Sequence, residues 1–289
     1  MNQEPFIVPP GKKIELKNYD PGSTGKFKNK EEATSKLQKD IGRLAKYQNV
    51  LYAQNNYALL IILQAMDAAG KDSTVKHVMS GVNPQGTEVH SFKAPSTEEL
   101  DHDYLWRCAK ALPERGRIGI FNRSYYEEVL AVRVHPEFLD QQQLPPETKK
   151  KNIWKKRFEE INNFESYLVD NGIHILKFYL NVSKEEQRRR FLARIETPEK
   201  NWKFSLNDVK ERGLWDDYMN AYEDVFRHTS TKQAPWHIIP ADNKWFTHAA
   251  VADVIIARLK SLKLKYPSIS EESRQELLKA KELLENEQQ

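Results

Sequence analysis

The chain lacks the features of a secreted or membrane protein. Its 289 residues include one cysteine, Cys108, which excludes an internal disulfide framework and any Cys-rich metal site. No apolar run approaches the length of a bilayer span, and the first residues, Met1-Asn2-Gln3-Glu4-Pro5, lack the charged-then-apolar pattern of a signal peptide. The eight histidines are scattered without metal-ligand spacing. We therefore expect a cytoplasmic protein without membrane contact.

The composition indicates a folded protein with a heavily charged surface. Hydrophobic residues make up 39% of the chain and charged residues 30%. The 45 Lys and Arg against 41 Asp and Glu leave a net charge of only +4. So small an excess identifies no partner, and an anion site has to be argued from local clusters of charge.

Short apolar segments alternate with helical patterns along the chain. We expect strands at 58–65, 87–92, 118–121, 173–180 and 236–240. The helices expected between and around them are at 29–54, 96–112, from Pro145-Pro146 to Asn171, from Ser183, and at 246–262. This alternation predicts an α/β fold of three layers, α/β/α, with a mostly parallel five-stranded sheet between helices.

The same patterns suggest a division of the chain. We expect residues 1–28, rich in Pro, Gly and Lys, to be an extended arm with turns rather than a packed element. Residues 29–265 would form one α/β domain, in which the helical, basic and aromatic segment at about 188–230 is an insertion that could act as a lid. Residues 266–289 read as a charged C-terminal helix whose leucines suit a partner helix.

A phosphate-binding loop is predicted directly after the first strand. The buried run that ends at Leu63 is followed by Ala65-Met66-Asp67-Ala68-Ala69-Gly70-Lys71-Asp72-Ser73-Thr74 and then by a helical pattern. The free N–H groups and the dipole of a helix N-terminus favour bound anions. The usual loop reads G-x-x-x-x-G-K-[ST], whereas here Ala65 replaces the first Gly and Asp72 the Mg-binding hydroxyl. Taken alone, the segment could be an ordinary β–α turn with an exposed lysine.

Other polar residues follow the third and fifth strands. Asn122 and Arg123 come after the third, and Asp242 and Lys244 come just beyond the fifth. Ligands of doubly wound sheets bind at the carboxyl ends of the strands, where these residues would meet the loop. The alternative for Asn122 and Arg123 is a polar strand end that pairs with a nearby carboxylate. The alternative for Asp242 and Lys244 is a simple turn.

A basic helix runs through Gln187-Arg188-Arg189-Arg190-Phe191-Leu192-Ala193-Arg194. Arg190 and Arg194 share a face, so they repel each other unless an anion lies between them. Acidic neighbours are few, and Lys200 and Lys203 extend the positive charge. We favour a phosphate-facing role for this helix over a solvated charged face, because guanidinium groups suit bidentate phosphate contacts.

Nearly the whole chain, roughly residues 10 to 265, resembles the polyphosphate kinase 2 family. The matching segments are Met66-Asp67-Ala68-Ala69-Gly70-Lys71-Asp72, Phe121-Asn122-Arg123-Ser124-Tyr125-Tyr126-Glu127, Glu185-Glu186-Gln187 through Arg190-Phe191 and Arg194, Pro198-Glu199-Lys200-Asn201-Trp202-Lys203-Phe204, and Thr229-Ser230-Thr231 through Ala234-Pro235-Trp236. Several ordered segments at the right separations are far more specific than the loop alone. In that family the Gly-Lys-Asp form of the loop is normal.

The resemblance implies a P-loop kinase-like fold with a helical lid. It also implies an Mg²⁺-dependent, reversible transfer of a terminal phosphoryl group between inorganic polyphosphate and a purine nucleotide. Carried over by motif, Asp67 would hold Mg²⁺ or orient the acceptor, and Arg123 would brace the transferred group. The phosphate cradle would be Ala68, Ala69, Gly70, Lys71, Asp72, Ser73 and Thr74, with Arg190, Arg194 and Lys203 clamping phosphates from the lid. A homo-oligomer, dimer or tetramer, is also implied.

One position departs from much of the family. The second motif often begins with Asp, and here it is Asn122, whose amide cannot supply an anionic Mg²⁺ ligand. Members with Phe-Asn-Arg-Ser and a following Tyr-Glu resemble the subgroup that phosphorylates both nucleoside monophosphates and diphosphates. In such members Glu127 could supply the displaced carboxylate.

These observations favour a polyphosphate:nucleotide phosphotransferase that acts by direct in-line transfer to AMP/ADP or GMP/GDP. One alternative is an ATP-dependent kinase of nucleotides or another small molecule. The basic stretches 149–157 and 188–203 favour a longer anion over a single compact acceptor. The other alternative is a non-catalytic protein that binds polyanions or RNA on a degenerate P-loop fold. An RNA-binding protein would have base-stacking platforms, and the pattern does not distinguish surface aromatics from core aromatics. We expect polyphosphate and nucleotides as partners, and no nucleic acid.

Overall fold

The computed structural model describes residues 1–149 and 152–287. Lys150 and Lys151, which belong to the predicted basic stretch 149–157 and to the predicted helix after Pro145-Pro146, lie outside the described residues. So do Gln288 and Gln289, at the end of the predicted C-terminal helix.

Five strands form one sheet in the order β2-β3-β1-β4-β5, and all neighbours are parallel. They are β1 (Ala58–Gln64), β2 (Thr87–Ser91), β3 (Ile118–Asn122), β4 (Ile173–Asn181) and β5 (Trp236–Pro240). The predicted positions are confirmed to within one or two residues. All seven residues of the central strand β1 are buried, because the sheet is covered on both faces.

Helices cover both faces of the sheet, which confirms the predicted three-layer α/β/α fold. The long helices are α1 (Lys30–Gln54), α7 (Ile153–Asp170), α8 (Lys184–Glu196), α10 (Trp215–Thr229), α11 (Lys244–Ser261) and α12 (Glu271–Glu285). The shorter ones are α2 (Lys71–Val78), α3 (Thr97–Leu100), α4 (Trp106–Ala109), α5 (Ala131–Val134), α6 (Pro136–Asp140) and α9 (Leu206–Gly213). Helices α1, α2 and α11 pack together on one side, and α7 and α10 on the other.

The chain between β4 and β5 is helical, as expected, and contains α8, a 3₁₀ segment (Pro198–Lys203), α9 and α10. The C-terminal helix α12 exposes its leucines. No helix within residues 1–149 and 152–287 combines the length and the apolar composition that a bilayer crossing requires.

The single helix expected over residues 96–112 is wrong. Its predicted capping box, formed by Ser96 and Glu99, is present and opens α3. The helix then stops, and α4 begins only at Trp106. The carboxylate of Asp103 accepts the N–H of Leu105 at 2.9 Å, a local bond that competes with helix continuation.

The N-terminal residues 1–28 form two short 3₁₀ turns joined by extended chain. Contrary to the expectation that they would not pack, Phe6, Val8 and Leu16 are buried. The N–H of Val8 donates to the carbonyl of Trp236 at 2.9 Å, so this segment covers the outer edge of β5. It also reaches the turn after β5, where the N–H of Asp242 donates to the Pro21 carbonyl at 3.0 Å.

A buried ion pair lies under the turn that follows β3. Lys177, in the middle of β4, donates to Glu165 of α7 at 2.6 Å, and its side chain is 0% exposed. The hydroxyls of Tyr125 and Tyr126 donate to the same carboxylate at 2.9 and 2.7 Å. The Lys177 ammonium also donates to the Thr229 carbonyl at 2.7 Å. One carboxylate thus connects α7, β4 and the turn after β3.

Replacing Lys177 with Met should therefore destabilise the fold strongly. Met fills similar space but leaves the buried Glu165 carboxylate without its cation, which costs about 3–5 kcal/mol in comparable buried pairs. Urea unfolding followed by circular dichroism would measure the loss. Lys155→Met is the matched control, because this α7 lysine is 77% exposed and its ammonium lies 4.0 Å from the carboxylate of Glu159. Equal stability of the two variants would contradict the importance of the pair.

Candidate active site

The loop between β1 and α2 presents a helix N-terminus at the carboxyl edge of the sheet. Ala68 and Gly70 have left-handed φ angles of 62° and 113°, and these two residues turn the chain into α2. Ala65 carries no such angle, so the absence of the usual first glycine is tolerated. No side chain caps the N-terminus of α2, and its first N–H groups can therefore bind an anion.

Lys71 lies beneath this loop with its side chain almost fully buried. Its ammonium donates to the carbonyl of Ala65 at 2.9 Å. Burial lowers the pKa of Lys71 to about 8, and the nearby Arg123 adds to the effect, while Asp67, Glu127 and Asp72 oppose it. The carboxylates of Asp67, Glu127 and Asp72 thus offset only part of the cost of the buried Lys71 charge. A phosphate at the N-terminus of α2 would offset more of it.

Asp67 and Arg123 form an ion pair across the ends of β1 and β3. The Arg123 Nη2 donates to Asp67 Oδ1 at 2.7 Å. Burial alone would raise the pKa of Asp67, but the charges of Lys71 and Arg123 outweigh it and hold the pKa below its ordinary value. Arg123 has a φ of 65°, and its N–H donates to the Leu63 carbonyl at 3.0 Å. The charge of the Glu127 carboxylate is the main cause of the raised pKa of Arg123.

Asn122 contacts the first turn of α2. Its Nδ2 donates to Asp72 Oδ1 at 2.6 Å. The amide thus faces a carboxylate at the position where much of the family has a second carboxylate.

Two hydroxyls of the predicted cradle are engaged within the protein. Thr74 Oγ1 donates to the Gly70 carbonyl at 3.0 Å, which closes the first turn of α2. Ser73 Oγ lies 3.2 Å from His248 Nε2 on α11. Their predicted phosphate contacts stay predictions.

The arginines of α8 pair with three acidic side chains, and two of these, Glu185 and Glu186, are among the few acidic neighbours seen in the sequence. Arg188 pairs with Glu185, Arg189 and Arg190 both pair with Glu186, and Arg194 lies 3.5 Å from Asp208. The i,i+3 and i,i+4 spacing within α8 supplies three of these pairs.

Arg190 is nearly buried against the back of the phosphate loop. Its Nη1 donates to the carbonyls of Ala68 and Ala69 at 2.9 and 2.7 Å. Its Nη2 donates to the carbonyls of Ala241 and Asp242, after β5, at 2.7 and 3.0 Å. These contacts place Arg190 at the loop, as predicted, but on backbone carbonyls.

The remaining predicted lid residues lie farther out. Arg194 is half-buried, and its charge helps to lower the pKa of Asp67. The Lys203 ammonium lies 4.9 Å from the exposed Trp202 ring, and the described residues give it no contact with the loop. Their phosphate contacts also stay predictions.

Two further residues belong to this site. Gln187 Nε2 donates to the Asp67 carbonyl at 3.0 Å. Its spacing of three and seven from Arg190 and Arg194 places it on the same helix face, a signal that could have identified it. Lys244, suggested only by its position after β5, has its Cε 3.9 Å from where a Cβ on Gly70 would lie. Burial lowers the pKa of Lys244, and the charges of Arg190, Arg194 and Lys200 lower it further.

The donor set suits a Mg²⁺ ion that is shared with phosphates. Within the described residues there is no group of three or more His, Cys, Asp and Glu side chains that could hold a metal ion. Asp67 and Asp72 are two carboxylates beside the helix N-terminus, and Mg²⁺ is commonly held by one or two carboxylates together with substrate phosphates. Asp67 is the predicted ligand, and Asp72 stands where the usual loop has its metal-binding hydroxyl.

Comparisons with known proteins agree on one family. A family model described as polyphosphate kinase 2 (PPK2) matches residues 27–267. The chain is 50% identical over 280 residues to an ADP-polyphosphate phosphotransferase of Rhodopseudomonas palustris, covering 96% of this chain and 97% of that protein. It is 44% identical over 263 residues to an AMP/ADP-polyphosphate phosphotransferase of Meiothermus ruber, covering 91% and 94%.

A solved structure is similar along nearly the whole chain. The crystal structure of polyphosphate kinase 2 from Arthrobacter aurescens TC1 superposes with a TM-score of 0.85 at 39% identity, and the match covers 94% of each chain.

Anion binding at the loop should weaken as the pH rises through about 8. Above that value Lys71 loses its proton in the free protein, so the affinity for tripolyphosphate should fall by up to about tenfold per pH unit. Calorimetric titration from pH 7 to 10 would measure this fall, and Lys71→Arg, which keeps its charge, should flatten it. The same dependence of affinity on pH in the unaltered protein and in Lys71→Arg would show that Lys71 is not the titrating group.

Replacing Asn122 with Asp should make the thermal stability of the protein depend on Mg²⁺. The new carboxylate would face Asp72, where the Asn122 amide now donates, and the two like charges would repel each other. The melting temperature should fall without Mg²⁺ and rise with added Mg²⁺ by more than in the unaltered protein. Asn122→Ala is the control, because it loses the hydrogen bond without adding charge. An equal response to Mg²⁺ in all three proteins would show that the side chain at position 122 takes no part in metal binding.

Proposed function

Because the chain belongs to the polyphosphate kinase 2 family, we propose that it transfers a terminal phosphoryl group between inorganic polyphosphate and a purine nucleotide. The main structural support is the Asp67–Arg123 pair beside Lys71 at the uncapped N-terminus of α2. This arrangement puts a carboxylate, two cations and free N–H groups within one small region at the carboxyl edge of the sheet.

The proposed reaction is a direct, reversible, in-line transfer from the phosphate chain to the nucleotide. Positioning and charge supply most of the rate in phosphoryl transfer, and the site presents groups for both. The α2 N-terminus and Lys71 would hold one set of phosphates. Arg123 would neutralise charge that develops on the transferred group.

Mg²⁺ is part of this proposal, and Asp67 is its proposed protein ligand. When bound, the ion would neutralise phosphate oxygens and order them for transfer. Asp72, in the first turn of α2, is a second carboxylate that could assist. The charges of Asp72 and Glu127 both raise the pKa of Lys71.

The acceptor is proposed to be a nucleoside monophosphate or diphosphate, AMP/ADP or GMP/GDP. Support comes from the Phe121-Asn122-Arg123-Ser124 motif and from the Meiothermus ruber relative, which is named for both AMP and ADP. We also propose a cytoplasmic location and a homo-oligomer, dimer or tetramer. The exposed leucines of α12 are a surface that an oligomer could cover.

The purified protein should make ADP and ATP from AMP when it is given polyphosphate and Mg²⁺ without a nucleoside triphosphate. Separate assays with AMP, ADP, GMP and GDP, read by chromatography of the nucleotides, would also rank the acceptors. Product that appears only with a nucleoside triphosphate donor would instead indicate an ATP-dependent kinase.

Asp67→Asn distinguishes an enzyme from a protein that only binds polyanions. The amide keeps the size of the side chain but removes the proposed metal ligand and the partner charge of Arg123. Turnover should fall by roughly a hundredfold or more, while the affinity for polyphosphate changes little. Asp216→Asn, at an exposed position of α10, is a control for the loss of one carboxylate outside the site. Full turnover in Asp67→Asn would remove Asp67 from the mechanism.

A further inference from the structure

The Arg190 guanidinium has no N–H group left for a ligand in this structure. A guanidinium carries five N–H donors. The Nε donates to Glu186 at 2.7 Å, Nη1 donates to two loop carbonyls, and Nη2 donates to two carbonyls after β5. The side chain is 7% exposed, so water cannot easily replace these partners.

These contacts determine which way the loop peptides face. In a planar trans peptide the C=O and the following N–H point in opposite directions. The Ala69 carbonyl points at Arg190, so the N–H of Gly70 points to the other side of the loop. A phosphate cannot bind on the side of the carbonyl oxygens, because like charges repel. Arg190 therefore occupies the carbonyl side and leaves the N–H side for the anion.

The same guanidinium connects two parts of the sheet edge. Ala68 and Ala69 follow β1, whereas Ala241 and Asp242 follow β5, and β4 lies between these strands. The planar guanidinium contacts both pairs of carbonyls at once, whereas the compact ammonium of a lysine cannot reach both pairs. The left-handed Ala68 is held by this contact, and such backbone angles persist only where the surroundings enforce them.

We propose that Arg190 is a positioning residue for the phosphate loop and not a phosphate ligand. It fixes the Ala68 and Ala69 carbonyls against the turn after β5, and so orients the N–H of Gly70, while Lys71, Arg123 and Arg194 remain to contact phosphates. This inference rests on the proposed function and replaces the phosphate-clamping role that the sequence suggested for Arg190.

Arg190→Lys and Arg190→Gln separate orientation from charge. If Arg190 orients the loop, both variants should lose roughly a hundredfold in kcat for polyphosphate-dependent phosphorylation, because small misplacements in such sites are costly. The KM for polyphosphate should change by only a few-fold in each. If Arg190 instead contacts phosphate through its charge, Arg190→Lys should keep most of the kcat and Arg190→Gln should raise the KM. That second pattern would overturn the proposal.

Arg189→Lys and Arg189→Gln are the matched controls. Arg189 is on the same helix, bears the same charge and pairs with the same Glu186 carboxylate, but it is 69% exposed. Its variants should keep nearly full kcat and KM. A comparable loss in the Arg189 variants would show that the pairing of Glu186, not the loop contact, carries the effect.

A second measurement uses the unaltered protein and does not depend on how the variants fold. A crystal structure with bound tripolyphosphate should show Arg190 still on the four carbonyls, with the anion on the opposite side of the loop. An Arg190 that has moved onto the phosphate would overturn the proposal. If the unaltered protein lacked polyphosphate-dependent activity in the assay above, the proposed function would fail, yet this structure would still decide the role of Arg190.

Discussion

A site for a polyanion has to hold several cations close together before the anion arrives, and their mutual repulsion constrains the surrounding structure. Lys71, Arg123, Arg194 and Lys244 gather at one edge of the sheet. Lys71 and Lys244 both have lowered pKa values, caused by burial and by neighbouring positive charges. The carboxylates nearby, chiefly Asp67, offset this excess only in part. The proposed phosphate chain would supply the missing negative charge, so the stability of the arrangement would depend on its ligand.

Local patterns in the sequence were enough to predict the strands, the loop and the meeting of Asp67 with Arg123. A continuous apolar run indicates a buried parallel strand, and parallel strands bring their carboxyl ends to one edge. The contacts of Arg190 could not be predicted in this way. Its carbonyl partners after β5 are 51 and 52 residues away along the chain, and backbone carbonyls have no sequence signature. The break between α3 and α4 was missed because the side chain of Asp103 competes with the helix.

The turn that carries Arg123 depends on buried groups beneath it. Arg123 has a backbone angle that an arginine rarely adopts, and such a conformation has to be enforced by its neighbours. Tyr125 and Tyr126, two and three residues after it, are both fixed by the buried Glu165. Glu128, at the end of the same turn, accepts from the buried Arg157 at 2.9 Å. Two buried carboxylates, Glu165 and Glu128, thus hold the turn that carries the proposed site residue Arg123.

The N-terminal segment affects how rigidly the phosphate loop is held. It is bound to β5 through Val8 and to the turn after β5 through Pro21, and that turn supplies the Ala241 and Asp242 carbonyls to Arg190. A protease that trimmed the first two dozen residues would loosen this turn, and the loosening would reach the phosphate loop through the guanidinium. Sequence that looks dispensable because it precedes the first long helix therefore contributes to the stiffness of the site.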